Sequence, residues 1–291
     1  MNPLPQWKDL AQLGRISNLP TCMSGAIAGF YLGGGNLLSD WFLLLASCFT
    51  IVCFYEAGMV FNDFFDREVD AIERPERPIP SGRISPFHAQ MMGGALLAIG
   101  LLTVRAFFPH GLVIALVLVM MILIYDRWHL HWTISPLIMG TCRGLIYPLS
   151  ACAAGWTPAI SSWTRLPLEM ALYVSFLSWL ARDEMIPTLP RAKQTLPFLA
   201  SSVWFLDGQS LAQGDSLIQC ALLLGVLWSV YLGVRLFKFE IRVREAVGGM
   251  LAAIALWDAA ILATCSTRLG VGVAWICFLL TILGHRKIRG T

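Results

Sequence analysis

Four oxygen-bearing side chains at the end of an apolar segment give the strongest chemical signal in this sequence: Asn62, Asp63, Asp66 and Asp70. At about 100° per residue on an α-helix, Asn62, Asp66 and Asp70 project at about 0°, 40° and 80°. Asp63 projects at about 100°, so the four side chains share one face. Like charges this close repel each other and do not favour the helix by themselves. We therefore predict a bound Mg²⁺ ion, since Mg²⁺ prefers carboxylates and substrate phosphates as ligands.

A basic segment follows this acidic face directly. Residues 74–83 place Arg74, Arg77 and Arg83 among three prolines. Arginine suits bidentate contact with phosphate oxygens. Carboxylates for a metal ion beside arginines for an anion indicate a diphosphate site. The alternative is a solvated charged loop, which does not explain the register of the carboxylates.

The pattern of residues 57–85 resembles the first signature of the UbiA-type intramembrane prenyltransferases. That signature is roughly AG-x-x-x-ND-x-x-D-x-x-x-D, followed by R-x-x-RP-x-x-x-G-x-x-S, and this sequence fits it. Further similarities lie at residues 15–20, at Arg143 with Gly144 and at residues 195–197. The resemblance implies an all-α, polytopic transmembrane helical bundle around a lipid-facing cavity. It also implies Mg²⁺-dependent transfer of a polyprenyl group from its diphosphate to a lipophilic or aromatic acceptor.

The second Asp-rich motif of that family is degenerate in this sequence. Carboxylates are expected near positions 181, 184 and 188, where only Glu184 is acidic, with Asp183 beside it. Three interpretations stay open. Asp183 and Glu184 hold one ion weakly, basic residues such as Lys193 bind the diphosphate directly, or the chain binds an isoprenoid without ionising it.

The composition is that of a membrane protein. Apolar residues make up 57% of the chain and charged residues 13%, whereas soluble domains carry about 25% charged residues. A helix needs about 20 mostly apolar residues to cross the hydrocarbon core. The apolar blocks predict nine or ten spans, of which the seventh is weak. The predicted spans cover residues 19–35, 41–61, 90–108, 110–126, 133–154, 166–181, 195–211, 216–236, 246–265 and 270–284.

The basic residues predict the orientation of these spans, because Lys and Arg concentrate in cytoplasmic loops. With ten spans and a cytoplasmic N-terminus, most of the 21 Lys and Arg residues lie in cytoplasmic loops, together with the Asp-rich segment. No linker divides the chain, so we expect residues 1–291 to form a single domain in the lipid bilayer, the inner or plasma membrane in a bacterium. The net charge of +3 does not suggest nucleic acid as a partner, and none of the eight cysteines forms a Cys-x-x-Cys pair.

Ionisable groups inside the predicted spans are further candidates, since each costs about 2.5–3.5 kcal/mol on insertion. Glu56 projects at about 120° and lies roughly 10 Å deeper than Asp63. We predict that it lines the pocket floor and binds or deprotonates the acceptor, the alternative being a hydrogen bond to a neighbouring helix. Arg143 is expected to face the cavity and to reach the diphosphate or to pair with Glu56 or Asp126. Asp258 is expected to make a hydrogen bond between helices.

The predicted site has three groups of residues. The catalytic residues are Asp63, Asp66, Asp70 and Glu56. The metal ligands are Asn62, Asp66 and Asp70. The substrate-binding residues are Asn62, Arg74, Arg77, Arg83, Arg143, Asp183, Glu184 and Lys193.

Two other functional classes stay open. The degenerate second motif would also suit a non-catalytic isoprenoid-binding or accessory membrane protein that keeps the fold. A transporter is the third possibility, because polytopic proteins with intramembrane charges often transport solutes. The register of the Asp-rich segment argues against it.

Overall fold

The structure is a computed structural model that describes residues 7–157, 165–182, 190–202 and 216–287. Within these ranges the regular elements are all helical, and no strand occurs. Short 3₁₀ turns at Ile16–Asn18 and Pro109–Gly111 precede α2 and α5. The helices are α1 (Trp7–Leu13), α2 (Leu19–Leu32), α3 (Trp41–Glu73), α4 (Pro86–Phe107), α5 (Leu112–Trp128), α6 (Ser135–Gly144), α7 (Ile146–Ala153), α8 (Arg165–Ala181), α9 (Arg191–Gln194), α10 (Leu196–Ser202), α11 (Ser216–Phe237), α12 (Val243–Thr264) and α13 (Arg268–Lys287).

Six helical segments in the described ranges are long and apolar enough to cross a membrane: α3, α4, α5 together with the 3₁₀ turn before it, α11, α12 and α13. Many large apolar side chains on the outside of the bundle are exposed, among them Leu102, Val113 and Leu223. Such a surface would be costly in water and suits contact with lipid. The chain therefore has the construction of an integral membrane protein.

Helix α3 is much longer than a helix needs to be to cross a membrane, and its last part holds the Asp-rich face. Its 33 residues correspond to about 50 Å, whereas the hydrocarbon core is about 30 Å thick. The apolar first part packs closely on α4, where Gly93 leaves room for Phe61 and Gly100 leaves room for Phe54. The last part carries the Asp-rich face beyond the apolar region.

Helix α12 forms the centre of the second half of the bundle. It is buried along nearly its whole length, from Val243 to Ala263, and packs against α2, α8, α11 and α13. The two larger clusters of buried apolar side chains among the described residues lie around α12 and α8 and around α3 and its neighbours. The space between the two clusters is the cavity described below.

The predicted boundaries agree with the structure better than the predicted number of helices. An all-α polytopic bundle is observed, but a count of nine or ten helices is not confirmed. The predicted span 133–154 consists of two helices, α6 and α7, which are separated at Leu145. Hydropathy reports the length of an apolar block and does not report a break within it. The predicted seventh span, residues 195–211, is described only as far as Ser202.

Candidate active site

A cavity of about 620 Å³ opens beside the Asp-rich end of α3. Its deeper walls are apolar and include Ile51, Phe54 and Leu118, whereas its mouth is polar. The residues of α3 that line it project within a band of roughly 160° on the helix. Asn62, Asp66 and Asp70 all lie in this band and line the mouth. The helical register read from the sequence therefore places these three side chains on one cavity wall.

Two arginines neutralise the carboxylates at the mouth. Arg77 Nη1 donates to Asp70 Oδ2 at 2.6 Å and to Asp63 Oδ1 at 3.2 Å. Arg15 Nη2 donates to Asn62 Oδ1 at 2.9 Å and to Asp63 Oδ1 at 3.0 Å. Both guanidinium groups also line the cavity. The guanidinium groups of Arg15 and Arg77 can thus release these carboxylates and bind phosphate oxygens instead.

Arg15 belongs to the site although it was not among the predicted site residues. It has a left-handed backbone conformation with φ of 46° between α1 and the following 3₁₀ turn, and its carbonyl accepts from Tyr55 Oη at 3.1 Å. Burial opposes the charge on Arg15, but the Asp63 carboxylate together with Tyr55 and Tyr125 outweighs burial and raises the pKa of the guanidinium. Arg15 therefore stays cationic. The only sequence signal was the similarity of residues 15–20 to the opening of the family's first helix.

The loop after α3 divides its arginines between two tasks. Arg74 and Arg77 line the cavity. Arg83 does not, because its Nε donates to Asp9 Oδ1 at 2.7 Å and its Nη2 to the Glu76 carbonyl at 2.8 Å. The structure therefore corrects the placement of Arg83, which fastens the loop to α1 instead of reaching the cavity.

Two predicted catalytic carboxylates lie off the cavity wall. Glu56 packs against the backbone of Gly14 on the N-terminal segment, and no cavity-lining role is seen for it. Asp63 is buried behind the mouth, where it holds Arg15 and Arg77. The reason is angular: both side chains project at about 100–120° from Asn62, where the N-terminal segment and the loop pack, and not at the centre of the cavity face.

A second wall of the mouth comes from α5. His129 Nε2 lies 3.4 Å from Asp66 Oδ2, and its ring stacks on Tyr125 with centroids 5.0 Å apart. Tyr125, Asp126 and His129 all line the cavity. His129 was not among the predicted site residues. Only the packing of α5 against α3 reveals its place in the site.

Arg143 lines the deeper part of the cavity, as predicted, at the end of α6. It donates to the Thr21 carbonyl and to Cys22 Sγ, so it is anchored to α2. Asp258 accepts from Ser24 Oγ at 2.5 Å and from Tyr147 Oη at 2.6 Å. The predicted hydrogen bonds between helices are thus present at Asp258, which joins α2, α7 and α12 behind the cavity.

The degenerate second motif lies mostly outside the described residues. Asp183 and Glu184 fall in the gap after Arg182, so the structure does not place them. Lys193 is half-buried on α9 and, among the described residues, is not part of the cavity wall. Arg182 does line the cavity and donates to the carbonyl of Trp132 at 3.2 Å.

The oxygen-bearing side chains at the mouth suit Mg²⁺, provided that a substrate supplies the remaining metal ligands. No three His, Cys, Asp or Glu side chains within the described ranges are close enough to hold an ion by themselves. Mg²⁺ is ordinarily held by one or two carboxylates together with phosphate oxygens and water. Asn62, Asp66 and Asp70 supply such oxygen atoms, and Arg74 and Arg77 accompany them for the anion. The residues therefore fit an ion that binds with a diphosphate.

Comparisons with known proteins agree with this geometry. The model of the UbiA prenyltransferase family matches residues 21–182. A digeranylgeranylglyceryl phosphate synthase of Methanopyrus kandleri is 33% identical over 181 residues, 59% of this chain and 60% of that protein. One of Methanothrix thermoacetophila is 24% identical over 93% of this chain and 98% of its own length.

A solved structure of similar fold is that of a UbiA homologue from Archaeoglobus fulgidus bound to DMAPP and Mg²⁺. Its TM-score is 0.64 at 14% identity, with 89% of this chain and 99% of that chain covered. At this identity the likeness concerns the fold alone. The family model covers more than half of the chain. The matched segment contains the Asp-rich face, the arginine loop, and Tyr125, Asp126 and His129 of the second cavity wall. The chain therefore belongs to the UbiA prenyltransferase family.

Proposed function

We propose that this protein transfers a polyprenyl group from its diphosphate to a membrane-associated acceptor in a Mg²⁺-dependent reaction. The observation that carries the proposal is the mouth of the cavity, where Asn62, Asp66 and Asp70 stand beside Arg74 and Arg77 above apolar walls. An anionic head with a long apolar tail matches this distribution of charge. The relatives compared above are named as synthases, which supports a catalytic role over a purely binding one.

Different residues have different roles in breaking the C1–O bond of the prenyl diphosphate. Asn62, Asp66 and Asp70 would hold Mg²⁺, which withdraws charge from the diphosphate oxygens when it is bound. Arg74 and Arg77 contact the same oxygens and stabilise the negative charge that develops there. The electron pair of the C1–O bond leaves with the diphosphate. The apolar walls keep water away from the allylic cation.

Ion pairs between arginines and aspartates balance the charges at the mouth when no substrate is bound. Asp63 and Asp70 neutralise Arg77, and Asp63 also neutralises Arg15. An incoming diphosphate offers Arg77 stronger bidentate contacts. Release of Asp70 from Arg77 would then free its oxygen atoms for the ion that accompanies the diphosphate.

We further propose that the acceptor carries a hydroxyl group and a phosphate, as a prenylated glyceryl phosphate does. The names of the two relatives support this class over an aromatic acceptor. The cavity also contains basic residues away from the Asp-rich face, Arg143 and Arg182. These two residues are candidates for contact with an acidic acceptor.

The test is release of diphosphate by the purified protein in detergent, with geranyl, farnesyl and geranylgeranyl diphosphates as donors. Geranylgeranylglyceryl phosphate and a membrane-lipid extract would be supplied as alternative acceptors. We expect diphosphate release that requires Mg²⁺ and is lost in Asp66→Ala. Release should persist in Glu68→Gln, because the Glu68 side chain on the same helix is 84% exposed. Diphosphate binding without release would instead establish a non-catalytic isoprenoid-binding protein.

A further inference from the structure

Asp126 on α5 is a buried carboxylate whose role the proposed reaction leaves unassigned. Only 3% of the residue is exposed, it lines the cavity, and its Oδ2 atom has no hydrogen-bond partner among the described residues. Buried polar groups are nearly always paired, so an orphaned carboxylate oxygen calls for an explanation. Asp258 provides the contrast, since both of its oxygen atoms accept hydrogen bonds.

Asp126 lies at the cavity mouth together with residues of the Asp-rich face. His129 follows Asp126 by about one helical turn, and its Nε2 atom is 3.4 Å from Asp66 Oδ2. The wall of α5 thus brings Asp126 to the same cavity mouth as Asp66. Arg15 lines this mouth as well, but its guanidinium already donates to Asn62 and Asp63.

The electrostatic balance favours a cation between the two walls. An ionised carboxylate without a partner is costly in an apolar environment, and a second carboxylate nearby adds repulsion. The cost is offset when a divalent cation binds between carboxylates and substrate phosphates. The second Asp-rich motif, which would ordinarily be expected to supply such ligands, has Ala181 and Thr188 at two of its three acidic positions.

We propose that Asp126 and Asp66 hold a second divalent cation beside the one that Asn62, Asp66 and Asp70 would hold, in place of the carboxylates missing at positions 181 and 188. His129 positions the Asp66 carboxylate for this ion. Since the described side chains alone do not complete a metal site, diphosphate oxygens and water supply the remaining ligands. The inference rests on the proposed function, because the ion binds together with a prenyl diphosphate.

The experiment counts bound Mn²⁺ by electron paramagnetic resonance in the purified full-length protein. Mn²⁺ replaces Mg²⁺, and an unreactive thiolo analogue of geranyl diphosphate replaces the donor. We expect the unaltered protein to bind two ions in the presence of the analogue and Asp126→Asn to bind one. Glu68→Gln is the matched control, because it neutralises an exposed carboxylate on the Asp-rich part of α3 that does not line the cavity, and we expect it to bind two.

His129→Ala tests the positioning role separately. Removing a residue that orients a metal ligand weakens metal affinity by about 10- to 100-fold. We therefore expect the second Mn²⁺ to bind at least about tenfold more weakly in His129→Ala, with the number of sites unchanged at saturation. An unchanged affinity would overturn the role of His129.

Thermal unfolding separates loss of the ion from loss of the fold. Without metal, Asp126→Asn replaces a buried carboxyl group whose Oδ2 atom has no hydrogen-bond partner among the described residues, so the unfolding midpoint of the variant should be no lower than that of the unaltered protein. With Mn²⁺ and the analogue, the unaltered protein should gain more stability than the variant. Two ions retained in Asp126→Asn would overturn the inference.

The unaltered protein distinguishes the two proposals. If it binds the analogue with a single Mn²⁺, the second site is wrong while the proposed function stands. If it binds neither the analogue nor Mn²⁺, both proposals fail.

Discussion

At the scale of single residues, Asp63 shows how a carboxylate can serve the site without lining the cavity. It is 3% exposed and accepts hydrogen bonds from Arg15 and Arg77, which do line the cavity. Arg77 connects it in turn to Asp70. Asp63 therefore fixes the positions of two cations that would meet the diphosphate, and its influence on substrate passes through them.

We predict that Asp63→Asn destabilises the protein and weakens donor binding. Removing one partner from a buried ion pair costs about 3–5 kcal/mol, and we expect the lower end of that range because Arg77 keeps Asp70. Thermal unfolding in detergent measures the stability, and the KM for the prenyl diphosphate measures binding. The control is Glu68→Gln, whose exposed pair with Arg67 should change neither value. Equal stability of both variants would contradict the role of Asp63.

At the scale of elements, close contact between helices α6 and α8 depends on two glycines. A Cβ atom at Gly144 would lie 2.5 Å from the Pro167 carbonyl oxygen, and one at Gly140 would overlap the Ala171 carbonyl and Ser175 Oγ. These contacts let α6 approach α8 and hold Arg143 at the cavity. Since backbone carbonyls cannot move aside as a flexible side chain can, the two positions require glycine.

We predict that Gly140→Ala destabilises the bundle by about 1–3 kcal/mol through overpacking. Gly94 on α4 is the matched control, because a Cβ atom there would meet nothing within 4 Å. Replacing an unconstrained helical glycine with alanine is favourable by about 1 kcal/mol, so Gly94→Ala should unfold at a slightly higher temperature. Opposite shifts of the two unfolding midpoints are the expected result, and parallel shifts would contradict it.

The sequence predicted the elements well where hydrophobic length decides them. The starts of α2, α3 and α11 agree with the predicted spans, and so does the register of Asn62, Asp66 and Asp70 on one cavity wall. Periodicity within one helix supplied this information. It could not supply contacts between helices.

The differences concern residues whose place depends on a neighbouring helix. Glu56 has an angle close to that of Asp63, but the N-terminal segment packs against it, so it does not reach the cavity. Arg83 belongs to the same basic loop as Arg77, but it forms an ion pair with Asp9 on α1 and does not line the cavity. Asp126 follows an apolar run and stands in no motif, so only the packing of α5 on the cavity reveals it.

At the scale of the whole molecule, the depth of the cavity relates to the length of the donor. On α3 its lining extends from Ile51 at the deep end to the residues around Asp70, a distance of about 28 Å along the helix. Phe54 is fully buried near the deep end and contacts α4 at Gly100. Because Phe54 also lines the cavity, we expect its ring to limit the space for the end of an isoprenoid tail.

We predict that Phe54→Leu shifts selectivity towards longer donors. Pocket differences of this size change discrimination by roughly tenfold, so the ratio of kcat/KM for geranylgeranyl over geranyl diphosphate should rise by about that factor. Phe42→Leu is the control, because Phe42 lies on the same helix but faces outwards, about half exposed. An unchanged ratio in Phe54→Leu would show that this ring does not limit the tail.

We propose that the N-terminus and the Asp-rich loop are cytoplasmic and that residues 1–291 act as one domain. The distribution of Lys and Arg supports this orientation. We predict that, in intact cells and a cysteine-depleted protein, a membrane-impermeant thiol reagent labels Thr157→Cys and not Glu76→Cys. Both positions are exposed, Glu76 in the loop that follows α3 and Thr157 after the end of α7. After permeabilisation both should react, and labelling of Glu76→Cys in intact cells would reverse the orientation.

The excess length of α3 has a consequence for the fate of the products. Because this helix extends about 20 Å beyond what the hydrocarbon core requires, the proposed reaction would break the C1–O bond of the donor at the level of the lipid headgroups. The inorganic diphosphate then dissolves in the aqueous phase, while the prenylated product stays in the bilayer. The two products partition into different phases, so they seldom meet again at the mouth of the cavity. Partition between water and membrane thus drives the reaction forward in addition to the chemistry of the broken bond.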